Sequence, residues 1–178
     1  MRGFPSGTVA ASTRVVGVAY PALVVARGAV ERAEPAGEAP GLNEVERNRM
    51  YLAQERELLK SYVENHELDG IVRDGYGMYT LSMVPGTGNT AAMGDEVIYQ
   101  ATVYLLDDSG VGQYTDTVEL GYSQIDIGLH EAISGMKEGE KKLVLIPSFL
   151  ARGLAGDLDK VPPQSPLRYD LRLIQVNR

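Results

Sequence analysis

The side chains that most often carry out catalysis are few and scattered in this sequence. Its 178 residues contain two histidines, His66 and His130, and no cysteine. Neither histidine has other ligands at metal spacing or a nucleophile linked to it, so no metal, no cofactor and no nucleophilic site is expected. The acidic runs Asp107–Asp108 and Glu138–Glu140 fall in predicted turns, where solvated carboxylates need no function. An enzyme with this sequence would therefore use a shaped apolar pocket rather than a titrating pair.

The balance of charge excludes one class of partner. The sequence has 17 Lys and Arg against 24 Asp and Glu, a formal net charge of -7, and hydrophobic residues make up 44% of it. That apolar content is sufficient for a buried core. Because nucleic-acid binding requires clustered cations that neutralise phosphates, no nucleic-acid partner is expected.

The stretch that would position such a pocket is Gly128–Pro147. Three apolar residues recur at helical spacing within Gly128–Ser134, which predicts a short helix with one apolar face. A charged turn around Gly139 follows, and then an apolar run of four residues that is short enough for a buried strand. Pro147 ends this strand because proline has no N–H to donate.

This stretch resembles the FKBP-type peptidyl-prolyl isomerases, which carry G-(W/L)-x-E-(G/A)-(I/V)-x-G-M-K-x-G-E-K in the central helix and an apolar strand ending in I-P. Other motifs of the family recur in the right order, in Met93–Val97, Ile146–Gly153, Val161–Pro163 and Leu167–Val176. The resemblance covers roughly Asp69 to Arg178. It implies an α+β fold, in which a five-stranded antiparallel sheet wraps around a short central helix and a long N-terminal helix precedes it.

Alternating apolar residues agree with that fold and place its strands. The predicted strands are Met78–Val84, Glu96–Leu106, Gly112–Leu120, Glu140–Ile146 and Leu167–Val176. In the fourth strand, we expect Leu143 and Leu145 to lie in the core together with Leu129 and Ile133 of the central helix.

The resemblance also implies which residues line the pocket for a proline ring. The groups carried over as catalytic are Tyr114, Asp116, Leu129, Val161 and Tyr169, with Thr115 as an alternative position for the aspartate. The groups carried over as substrate-binding are Ala101, Ile125, Asp126 and Arg152.

Several of these positions depart from the family. Leu129 stands where the family has a tryptophan, Ala101 and Arg152 stand where it has tyrosines, and Asp126 replaces an aliphatic residue. Loss of large aromatic walls and addition of charge admit the water that twisting of an amide must exclude. Two functions therefore remain open, a weak isomerase of proline-containing peptides or protein clients and a non-catalytic FKBP-like binding module. Asp126 and Arg152 either pair across the groove and close it or bind a charged peptide.

Asn43–Asn65 is the strongest helix signal, because Asn43 can cap the helix and Glu46 can complete a capping box. Apolar residues such as Leu52 and Leu59 form one stripe, which packs on the chain's own domain or on a partner, either a second copy or an envelope component. Three stretches resemble the FKBP-like lipoproteins of the bacterial gliding-motility machinery: Glu46–Arg49 leading into Gln54–Glu55, the shortened loop before Ile125, and Gly153–Val161. Those lipoproteins normally carry a lipobox cysteine, which this sequence does not have.

The first 30 residues resemble an export signal, with three arginines, no acidic residue and an apolar run of about 12 residues, too short to span a membrane. A disordered tail is the alternative. The expected cellular location is therefore the periplasm or the outer membrane, with the cytoplasm as the alternative. The expected divisions are a signal-like segment at 1–30, a linker at 31–42, a helix at 43–68 and an FKBP-like domain at 69–178.

Overall fold

A computed structural model describes residues 43–153, 155–157 and 159–178. The predicted signal-like segment and linker lie outside the described residues. Residues Gly41–Arg178 form one compact unit. Its helices and strands are α1 Glu44–Asn65, β1 Val72–Arg73, β2 Tyr79–Val84, β3 Glu96–Leu105, β4 Gly110–Glu119, α2 Ile127–Ile133, β5 Lys141–Ile146 and β6 Leu167–Asn177.

Helix α1 begins with the predicted capping box. The Glu46 N–H donates to the Asn43 side chain at 2.9 Å, and the Asn43 N–H donates to the Glu46 carboxylate at 3.1 Å. These two bonds satisfy amide groups that have no partner inside the first turn. The start of the helix is therefore fixed by its own sequence.

The strands form one antiparallel sheet in the order β1-β2-β5-β6-β3-β4. All five predicted strands are present, and the two-residue strand β1 adds a sixth by pairing with β2. Strand β6 lies in the middle, where Tyr169 is opposite Val103 of β3 and Val144 of β5. Its side chains alternate between buried and more exposed from Leu167 to Ile174, as predicted, and the alternation shifts by one residue at the bulge opposite Ile98 and Tyr99.

Helix α2 covers one face of the sheet, here called the inner face. Leu129 and Ile133 are buried in the predicted manner. Gly128 brings the helix close to β5, since a Cβ at this position would lie 2.4 Å from Ile146 Cγ2. The glycine therefore sets the distance between α2 and the strand below it.

The placement of Leu143 and Leu145 beside the central helix was wrong. These two residues lie on the opposite, outer face of β5, where they pack with Leu59 and Tyr62 of α1. Val144, with its neighbour Ile146, faces α2 instead. Because helices cover both faces of β5, its apolar run is continuous and gives no alternation from which to choose the side.

The apolar stripe of α1 is covered only along its C-terminal half. Leu59 and Tyr62 are buried, whereas Val45 is 59% exposed and Leu52 is 46% exposed. Glu55, between Leu52 and Leu59 in the helix, accepts hydrogen bonds from the Ser148 N–H and hydroxyl. The helix is thus attached to the sheet by its second half.

Candidate active site

The mouth of the candidate site is built on one carboxylate at the start of α2. Asp126 Oδ2 accepts a hydrogen bond from the Tyr169 hydroxyl at 3.0 Å and lies 3.5 Å from Arg152 Nε. Asp126 precedes α2 as its N-cap residue, yet its side chain makes no capping bond. The alternative in which Asp126 and Arg152 pair across the groove is therefore the one that the structure contains.

The floor beneath this pair is apolar and closed to solvent. Ala101, Leu129 and Val161 are at most 2% exposed and belong to one buried cluster, against which Tyr114 and Ile125 pack while remaining partly accessible. The structure therefore brings the predicted apolar site residues together on the inner face. Ala101 is inaccessible, so a bound peptide could touch it only after the groove opens.

Asp116 lies at the edge of the site. It is on the same face of β4 as Tyr114, two residues along the strand, and its carboxylate accepts the Thr117 N–H at 2.8 Å. Because side chains of a strand alternate between faces, Thr115 points away. Of the two positions considered for the family's aspartate, only Asp116 shares the inner face.

Tyr99 belongs to the site but was missed by the sequence reasoning. It is 1% exposed on the inner face of β3, and its ring meets that of Tyr114 edge to face, with centroids 6.1 Å apart. Its hydroxyl has no hydrogen-bond partner among the described residues. A usable signal did exist, since residues two apart in a strand share a face and Tyr99 precedes Ala101 by two.

The loop that carries Arg152 and Val161 is held by its own backbone and side-chain bonds. The Gly153 N–H donates to the Ser148 carbonyl at 2.7 Å. The Asp157 carboxylate accepts the N–H groups of Asp159, Lys160 and Val161 at 2.7–3.0 Å. Burial raises the pKa of Asp157, but these amide donors outweigh it and lower the pKa overall. The ionised carboxylate thus fixes the turn that delivers Val161 to the floor.

The phenols of the site stay protonated at neutral pH. Burial raises the pKa of Tyr99 and of Tyr169, and the nearby Tyr114 and Asp126 raise both further. Burial also raises the pKa of Tyr114. Burial lowers the pKa of Arg152, but the Asp126 carboxylate together with Tyr169, Tyr114 and Asp157 outweighs burial, so the pKa is raised overall. The site therefore offers neutral hydroxyl donors around one ion pair.

Both histidines are engaged in bonds that hold loops. His130 Nε2 lies 2.9 Å from the Ser123 carbonyl, and its Nδ1 accepts the Gly121 N–H at 3.2 Å. His66 Nε2 lies 3.1 Å from Asp108.

Within the described ranges, no three His, Cys, Asp or Glu residues are grouped so that they could hold a metal ion. None of the helices described is both long and apolar enough to cross a membrane.

Two surface clefts lie away from this site. One of about 140 Å³ opens beside α1, between Leu52, Tyr76 and Phe149. The other, of about 280 Å³, lies on the outer face near Met83 and Arg172. None of the predicted site residues lines either cleft. Both clefts are therefore separate from the candidate site.

Comparisons with known proteins agree with this geometry. The family model described as FKBP-type peptidyl-prolyl cis-trans isomerase matches residues 88–174. An FK506-binding protein of Neisseria meningitidis serogroup B is 30% identical over 105 residues, which cover 56% of this chain and 96% of that protein. FK506-binding protein 2 of Dictyostelium discoideum is 35% identical over 89 residues, 47% of this chain and 67% of that protein.

Two solved structures share the fold. The peptidyl-prolyl cis-trans isomerase of Pseudomonas syringae pv. tomato superposes with a TM-score of 0.63 at 24% identity, covering 74% of this chain and 96% of that one. FkpA of Escherichia coli superposes with a TM-score of 0.56 at 21% identity, covering 76% of this chain and 74% of that one. At these identities the likeness concerns the fold alone.

Proposed function

The chain belongs to the FKBP-type peptidyl-prolyl cis-trans isomerase family, and we propose that it isomerises proline-containing peptides or protein clients slowly, in a bacterial cell envelope. Rotation about the X-Pro bond meets a barrier of about 18–20 kcal/mol, because the planar amide has partial double-bond character. A site can lower this barrier by holding the twisted amide in dry surroundings, with no acid, base or covalent intermediate. A groove without a titrating pair is suited to this reaction.

Low turnover is supported by the ion pair at the mouth of the groove. The carboxylate of Asp126 and the guanidinium of Arg152 stand 3.5 Å apart above an apolar floor. Charged groups hold water close to the place where the amide must lose it. In addition, Leu129 gives a smaller wall than the aromatic residue of typical members, so fewer contacts press on the twisted bond.

An isomerisation assay with matched carboxamide variants tests this proposal. The full chain is mixed with an Ala-Leu-Pro-Phe peptide, and exchange between cis and trans forms is followed by NMR. Asp126→Asn keeps an acceptor for the Tyr169 hydroxyl while removing the negative charge, so we expect kcat/KM to rise about threefold, the effect of a barrier lowered by somewhat under 1 kcal/mol. Glu131→Gln, an exposed change on the same helix, is the control and should leave kcat/KM unchanged.

The outcomes separate the candidate functions. Measurable exchange that rises in Asp126→Asn supports the slow isomerase. Wild-type exchange as fast as that of a family member with an aromatic pocket would contradict low turnover. Peptide binding without any acceleration of exchange would favour the alternative, a non-catalytic FKBP-like module, which the solvent-inaccessible floor of the groove also favours.

The proposed localisation in the cell envelope is supported by sequence alone. Residues 1–30 have the composition of an export signal, and the chain resembles the FKBP-like lipoproteins of the gliding-motility machinery. A role in such an assembly, through α1 as a homodimer or with an envelope partner, is part of the proposal. Expression of the full chain and of a version lacking residues 1–30 in a Gram-negative host tests this localisation. Periplasmic protein from the full chain alone is expected, and equal cytoplasmic retention of both would contradict it.

A further inference from the structure

One buried polar atom of the inner face makes no hydrogen bond to the described residues. The hydroxyl oxygen of Tyr99 is inaccessible to solvent and has no hydrogen-bond partner among the described residues. A buried hydroxyl without a partner destabilises a fold, because it loses its bonds to water and gains none. Phenylalanine would fill the same volume without this cost. The Tyr114 phenol is near enough to raise the pKa of Tyr99 but is not within hydrogen-bond distance, so the oxygen is open to a partner that the described residues do not supply.

The position of this hydroxyl is inside the candidate active site. Tyr99 lies directly opposite Asp116 in the β3–β4 pair and is two residues from Ala101 on the same face of β3. Its ring packs edge to face against Tyr114. Burial raises the pKa of the phenol, the neighbouring Tyr114 phenol raises it further, and the charges of Asp116 and Asp126 add to the same shift. The phenol is therefore a permanent donor within the groove.

A donor of this kind matches the chemistry of a peptide. Each residue of a bound peptide brings a carbonyl oxygen that loses its water on binding and requires a donor in exchange. Proline supplies no N–H of its own, so the peptide around the reacting bond is rich in acceptors. The neighbouring residue Ala101 has no polar side-chain atom, so Tyr99 carries the hydroxyl that β3 brings to this floor, beside the Tyr114 phenol of β4.

We infer that the Tyr99 hydroxyl contacts the substrate, donating a hydrogen bond to a carbonyl oxygen of the proline-containing peptide in the groove. This inference rests on the proposed function of the same site. A peptide can reach this hydroxyl only if the Asp126–Arg152 pair at the mouth of the groove separates. The Arg152 side chain is 47% exposed, whereas that of Asp126 is 15% exposed. Asp126 also accepts the Tyr169 hydroxyl, so a peptide can displace the guanidinium without leaving this carboxylate unpartnered.

The test is removal of the oxygen alone, with activity and stability measured on the same samples. Tyr99→Phe in the full chain is expected to lower kcat/KM for the Ala-Leu-Pro-Phe peptide by about fivefold, the effect of one net hydrogen bond. Its Tm should stay the same or rise, because an unpartnered buried oxygen has been removed. Tyr122→Phe, at a tyrosine that is 75% exposed, is the matched control and should change neither quantity.

Each other outcome overturns the inference. Unchanged kcat/KM in Tyr99→Phe would show that the oxygen does not touch the substrate. A fall in Tm, whatever the activity, would show that a trapped water bonds the oxygen and that it serves the fold. Should the wild type bind the peptide without isomerising it, the proposed activity fails separately. NMR titration of the same peptide then decides, because Tyr99→Phe should weaken binding about fivefold and Tyr122→Phe should not.

Discussion

Shortening Leu59 in α1 should destabilise the protein strongly, whereas the same change at Leu52, one heptad earlier, should not. Leu59 is 2% exposed and packs with Leu143 and Leu145 of β5. Leu52 is 46% exposed on the same helix. Because Leu→Ala has the same effect on helix propensity at both positions, the difference between the variants reports packing alone.

The expected magnitude follows from the size of the contact. A buried Leu→Ala substitution costs about 2–5 kcal/mol, the sum of lost transfer energy and the cavity left behind. The cluster around Leu59 is small and its partly exposed members can relax into the gap, so we expect the lower end, about 2–3 kcal/mol. For Leu52→Ala, a surface change, about 0.5 kcal/mol or less is expected.

Urea unfolding followed by far-UV circular dichroism measures both values, at two protein concentrations a factor of about 50 apart. A small loss for Leu59→Ala would show that α1 does not dock on β5 in solution. Equal losses for both variants, growing with protein concentration, would show that the exposed half of α1 is buried against a second copy. Either result would refute the one-sided attachment of the helix.

Two further predictions concern α2 and the loop between β3 and β4. Gly128→Ala should lower the free energy of unfolding by about 1–2 kcal/mol. The added Cβ would lie 2.4 Å from Ile146 Cγ2, and the energy cost of this overpacking exceeds the roughly 1 kcal/mol that alanine gains over glycine in helix propensity. An unchanged thermal melt would contradict this expectation. A hydrogen bond from Tyr62 lowers the pKa of Asp108, so its stabilising effect is complete above the unfolded pKa of about 4 and is lost as pH falls through the lower folded value. Asp108→Asn should therefore lose less stability between about pH 6 and pH 2 than the neighbouring control Asp107→Asn does.

The parts of the fold that could be predicted are those in which neighbouring residues contain the information. The capping box of Asn43 and Glu46 depends on residues three apart, and the start of α1 was predicted correctly. Alternation likewise located β6, since one of its faces is more exposed than the other. The two-residue strand β1 was missed because so short a segment has no period.

The parts that could not be predicted depend on what lies across the sheet. The side on which Leu143 packs is decided by α1, which is about 80 residues away in the chain, and a continuous apolar run is compatible with either side. The unpartnered hydroxyl of Tyr99 could not be predicted either. A tyrosine in a strand is common because its ring fits the pleated surface, and this tells nothing about the partner of its hydroxyl. Its lack of a partner becomes visible only when β4 and α2 are in place.

The central position of β6 has a consequence for the order in which the protein can fold. This strand follows the other five in the chain, yet it lies between β3 and β5 and joins the two halves of the sheet. A chain emerging from a ribosome or a secretion channel therefore exposes two unjoined half-sheets until residues 167–177 are released. Pairing of β3 with β6 joins residues about 70 positions apart, and such non-local contacts slow folding. During that interval the open edges of β3 and β5 are free to pair with other chains. Chaperones that bind the nascent chain are therefore important until β6 has emerged.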